Sequence, residues 1–213
     1  MRCKFDGQLE LLHKELVEMG ALCENAIAMA ARALSDGSTK MAAKVPELSA
    51  DIDRKERNIE TMCMKLLLQQ QPVARDLRTI SSALKMVTDM ERIGDNSGDI
   101  AEIVTMANIT ASDNTEHIQD MARATIKMVT DSIDAFVKKD INLANAVIAY
   151  DDVVDSFFDE IKTDLIKQFG NPESNGEKVL DLLMIAKYFE RMADHAAEIA
   201  KWVLFSITGN KEG

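Results

Sequence analysis

Two short runs, ERIGD at 91–95 and ERMAD at 190–194, each set a glutamate and an aspartate four residues apart, and they recur ninety-nine positions from one another in a chain of 213 residues. A further acid follows four residues on in each case, Asp99 after Asp95 and Glu198 after Asp194. On a helix, residues four apart are stacked neighbours, about 5–6 Å apart at Cβ. Each run is therefore predicted to form a column of carboxylates that could hold one hard cation or bridge two. Oxygen-only ligands suit magnesium, calcium, manganese or iron better than structural zinc. Other acids could close the sites: Asp151, Asp155 and Asp159 recur every four residues, and Asp53, Glu56 and Glu60 lie upstream of the first run.

The columns sit where a core is expected. With Glu91 at zero and 100° per residue, Leu77, Ile80, Leu84 and Val87 fall within about 40° of it. Glu91 thus continues an apolar stripe, with Asp95 and Asp99 following, while Met86, Ile93, Ile100 and Val104 line the far side. Val179, Leu183 and Ala186 lead to Glu190 in the same way, with Ile185, Met192, Ile199 and Val203 opposite. A partly buried carboxylate is costly without a partner. Ion pairing would account for any single such acid; repetition at matching angles favours metal. The neighbouring Arg92 and Arg191 are expected to point off the carboxylate line.

Other chemistry is sparse. A ferritin-like di-iron centre needs Glu-x-x-His on two partner helices, and Glu10–His13 alone has that spacing. His195, beside Asp194, is a candidate auxiliary ligand or a hydrogen-bonded neighbour of the site; His117 carries no signal. There is no Walker loop, no GxSxG and no Cys–His pairing. No catalytic residue is assigned, and the chain reads as a non-enzyme.

The elements that must position these acids are long helices. Hydrophobic residues make up 46% and aromatics 5%, with only nine glycines and three prolines. That composition suits helices packed by Leu, Ile, Val, Met and Ala. Punctuation divides the chain into helices at about 6–34, 39–70, 72–107, 115–138, 140–169 and 176–207. The polar run NITASDN at 108–114 separates three helices from three, so the domains are expected at 1–108 and 112–208, with 209–213 a flexible tail. The last helices of the two halves align at offset 99, with six of fifteen positions identical between MERIGDNSGDIAEIV and FERMADHAAEIAKWV. The middle helices align better at offset 102, pairing Ile52-Asp53 with Val154-Asp155. A net charge of −11 disfavours nucleic acid. The lack of an apolar run of about 18 residues, an N-terminus without a signal-like core, and three cysteines without a CxxC point to the reducing cytoplasm. Cys23 and Cys63 are expected in the core.

The run PVARDLR at 72–78, together with ERIGD and ERMADH, resembles the PhoU family of phosphate-signalling regulators, and the resemblance covers the whole chain. It implies an all-α fold of two tandem three-helix bundles related by a pseudo-two-fold. It also implies a cytosolic regulator, often dimeric, that restrains phosphate uptake and the starvation response through a phosphate ABC transporter ATPase and a membrane sensor histidine kinase. Peripheral association with the membrane stays open. The family's metal-binding acid motifs match Glu91, Asp95 and Asp99 and also Glu190, Asp194 and Glu198, with Asp151 and Asp155 matching its middle-helix pattern. The implied cofactor is a divalent or trivalent metal: iron, magnesium, manganese or zinc. In the first half the leading middle-helix position is Ser49, ahead of Asp53. A carboxylate protein for metal storage or redox work and a metal-free helical adaptor are the alternatives.

Overall fold

The computed structural model describes residues 2–69, 73–110, 116–171 and 174–210. All of its regular structure is helical: α1 Arg2–Asp36, a single turn α2 Thr39–Ala42, α3 Val45–Gln69, α4 Ala74–Met106, α5 Glu116–Lys138, α6 Ile141–Phe169 and α7 Gly176–Thr208. Local chemistry sets most of the ends. Gly37 takes φ 61°, which ends α1, and the Ser38 hydroxyl accepts from Met41 N to start α2. Asp140 caps α6 by accepting from Asn142 N at 2.9 Å and Leu143 N at 3.0 Å. Asn175 caps α7, which closes on Gly209 at φ 85°.

The segment read as one helix over 39–70 is interrupted at Ala43 and Lys44. Pro46 explains the break: it has no N–H to give to a preceding turn, and its ring crowds that turn's carbonyl. It therefore sits at the start of α3, where no donor is missed. Pro72 and residues 111–114 of the linker lie outside the described residues, as do 211–213 of the tail.

The helices α1, α3 and α4 pack as one bundle and α5, α6 and α7 as another; α4 against α7 and α1 against α5 join them. The central pair is buried on more than one side. Ile80, Met86, Ile93 and Ile100 of α4 are fully buried, as are Ile185, Phe189 and Met192 of α7. That is why two apolar lines were visible on each. The stripe toward Glu91 is shorter than expected, because Leu77 at its start is 46% exposed. A polar contact crosses the joint: the Ser97 hydroxyl donates to Ile93 O and lies 3.5 Å from Met192 Sδ. Within the second bundle, Thr125 Oγ1 of α5 lies 3.3 Å from Phe189 O of α7. Cys23 and Cys63 are buried free thiols, as expected.

Candidate metal centre

The acids of α3 and α4 meet in an open groove of about 780 Å³, lined by Ser49, Asp53, Asp95, Gly98, Asp99 and Glu102 among others. Helix α3 approaches α4 closely at two glycines. A Cβ on Gly94 would lie 2.9 Å from Ile52 Cδ1, and one on Gly98 would lie 3.7 Å from Ser49 Oγ. That approach brings one oxygen each of Asp53, Glu91 and Asp95 within 4.8 Å of one another. It is the only such trio of potential ligands among the described residues. Asp53, a secondary candidate from sequence, is thus a member, whereas Asp99 lies one turn further along.

Charge is poorly compensated here. Glu91 is only 19% exposed in its side chain, and burial, then Asp95, with further contributions from Glu56 and Asp53, pushes its pKa above the ordinary carboxylate value. Glu56 is raised by burial, Glu60 and Asp53. Asp99 is raised chiefly by burial, against a lowering from the neighbouring Tyr188 hydroxyl of α7. Arg92 does not point away as expected. Its half-exposed guanidinium reaches Glu91 at 3.4 Å and Asp95 at 3.6 Å, and it lowers the Glu91 pKa by less than burial or Asp95 raises it, though by more than Glu56 or Asp53 does individually.

In the second bundle Asp151 and Asp155 of α6 face Glu190 and Asp194 of α7. Burial first, then Asp194 and Asp155, drives Asp151 to about 6. Asp155 and Asp194 are raised by burial and by Glu190. Lysines intrude, however. The Lys187 ammonium donates to Glu190 Oε1 at 2.5 Å. It lies equally near Oε2 but off the angle a hydrogen bond needs, leaving that buried oxygen without one. Lys201 pairs with Glu198 at 2.7 Å. Asp159, 75% exposed in its side chain, pairs with Lys162 at 3.5 Å. His195 is a hydrogen-bonded neighbour: its Nδ1 lies 3.0 Å from Asp89 of α4, across the joint between bundles.

Sequence reading missed Lys187, Tyr188 and Asp89. The lysine is three residues ahead of Glu190, a helical spacing that could have signalled it. The other two act between bundles, and no local period reveals such contacts.

Carboxylates from two helices, crowded and raised by burial and mutual repulsion, form a donor set that fits a hard cation in the first bundle. The second has the same acids and needs Lys187 to yield.

The comparisons agree with this architecture. The PhoU domain model matches twice, at residues 16–104 and 118–203. A phosphate-specific transport system accessory protein PhoU homolog of Clostridium acetobutylicum is 33% identical over 97% of this chain and 95% of its own length. The homolog from Synechocystis is 34% identical over 99% and 94%. The crystal structure of PhoU from Pseudomonas aeruginosa superposes with a TM-score of 0.88 at 31% identity, covering 97% of this chain and all of that one. With two matched domains that together span most of its length and relatives aligned from end to end, the chain belongs to the PhoU family.

Proposed function

We propose that this protein is a regulatory accessory of a phosphate transport system. It restrains phosphate uptake and the starvation response by docking on the transporter's ATPase and on a membrane sensor histidine kinase, with metal held on its acidic helices. Family membership and the names of the full-length relatives support the phosphate role. The convergence of Asp53, Glu91 and Asp95 carries the metal part of the reading.

Asp53, Glu91 and Asp95 would hold the first ion or cluster, with Asp99 at the edge; Asp151, Asp155, Glu190 and Asp194 would hold the second. A cation held there would supply positive charge where acids are crowded and would link α3 to α4 or α6 to α7. The face so fixed is acidic and rigid, suited to a basic partner surface. No described helix is long and apolar enough to cross a membrane, so the chain would meet its membrane partners from the side.

A pull-down with the purified transporter ATPase and the kinase's soluble portion tests this. Capture by at least one of them, stronger with manganese or iron than in EDTA, is expected. Capture by neither, in any metal, overturns the docking reading.

A further inference from the structure

We propose a second ligand site, for a phosphate-type oxyanion, in a basic pocket where α1, α4, α5 and α7 converge. The pocket is a partly enclosed cavity of about 290 Å³ lined by His13, Arg75, Arg78, Thr79, Lys139 and Ser206, with Phe136 forming a wall. Along α4, Thr79 lies twelve residues back from Glu91, about 18 Å at 1.5 Å per residue, and the pocket shares no residue with the acidic groove.

Three cations face one cavity in a chain of net charge −11. Among the described residues no carboxylate forms an ion pair with Arg75, Arg78 or Lys139, although elsewhere lysines and arginines pair with acids on their own helices. The Arg78 Nε is buried and makes no hydrogen bond. Its guanidinium lies against Gly209 at the end of α7, with Cδ and Nε 3.7 Å from where a Cβ there would stand, so it is held in place. Arginine forks match tetrahedral oxyanions, and a lysine adds a point charge. Both hydroxyls donate to their own helices, Thr79 to Arg75 O and Ser206 to Val203 O. The anion's donors are therefore the two guanidiniums, the Lys139 ammonium and His13. The His13 ring packs edge-on against Phe136 at 5.1 Å. Burial and Lys139 hold its pKa below the ordinary value against a smaller opposing effect of Glu10. A bound anion reverses that balance. The ligand is either free phosphate or the phosphoryl group of a small molecule.

The chain has three histidines, so His13 can be followed by NMR. The titration is run on the full chain in EDTA, so that phosphate cannot act through metal. Millimolar orthophosphate or phenyl phosphate is expected to raise the His13 pKa by about one unit, with chloride of equal ionic strength leaving it unmoved. Response to orthophosphate assigns a free ion; response to phenyl phosphate alone assigns a phosphomonoester. Arg75→Gln and Lys139→Asn should each abolish the shift. Lys139 has φ 53°, a conformation that asparagine tolerates, so this variant should keep its helicity. No shift with either phosphate, an equal shift with chloride, or an undiminished shift in Lys139→Asn overturns the proposal. The metal response of the acidic groove is unaffected by any of these outcomes.

Discussion

Glu91, Asp95 and Asp53 illustrate how a carboxylate can be both out of place and useful. Each sits on a helix whose neighbouring positions are core, and the acids repel one another more than Arg92 offsets. The same holds for Asp151, where the sign of the pH dependence can be worked out. Its pKa rises from 3.8 to about 6 on folding. A group whose folded pKa is raised favours the fold below its unfolded value, and that contribution is lost as pH rises through the folded value. In EDTA, Asp151→Asn should therefore match wild type near pH 4 and become progressively more stable than it up to pH 7. Melting temperatures at half-unit steps check this; a difference that shrinks with rising pH contradicts it. The acid motifs were legible because identity and spacing are local facts. Asp53's place beside Glu91 was not, since the helices could be slid past one another without changing either pattern. Ser49 stands where the family pattern has a leading acid, yet the first site brings Asp53, Glu91 and Asp95 together as a trio. In the second site Lys187 already pairs with Glu190.

The helices themselves were readable nearly to their ends, because Asp140, Asn175, Gly37 and Gly209 are strong punctuation. The split before α3 is hidden in the sequence because the residues around Pro46 keep a helical period, while the proline cannot donate to the turn ahead of it. What sets the site is the approach of α3 to α4, and Gly94 controls it. An alanine there gains about 1 kcal/mol of helix propensity but meets Ile52 Cδ1 at 2.9 Å, and overpacking of that kind costs about 1–3 kcal/mol. Gly94→Ala should thus lower stability by about 1 kcal/mol, or about 2–4 °C in a chain of this size. Because Ile52 adjoins Asp53, it should also weaken the metal response. Adding Ile52→Val removes the offending methyl and should recover most of both losses, giving a clear coupling in a double-mutant cycle. Additive effects in that cycle would mean that the glycine does not set the spacing.

Across the full chain, two similar bundles are joined along α4 and α7, and the link is partly polar: Tyr188 to Asp99 and His195 to Asp89. Each reaches from α7 to α4, so the two bundles are braced close to their acid clusters. The charge of −11 makes docking on a basic partner sensitive to salt. Association with the transporter ATPase is expected to weaken as ionic strength rises, chiefly through a slower on-rate; a rate constant indifferent to salt contradicts electrostatic docking. All of this rests on whether the crowded acids bind metal, and thermal melting reads that directly. Wild type and Glu91→Gln/Asp95→Asn are compared in EDTA and with iron, manganese, magnesium or zinc. At a hundredfold excess over its dissociation constant, a ligand of the native state adds about 2.7 kcal/mol, or about 5–10 °C here. Wild type should gain on that order with at least one metal. The variant should melt slightly above wild type in EDTA, since repulsion is relieved, and should lose the part of the gain that belongs to the first centre. A wild type indifferent to every metal, or a variant that responds as fully as wild type, would contradict metal binding at Glu91 and Asp95.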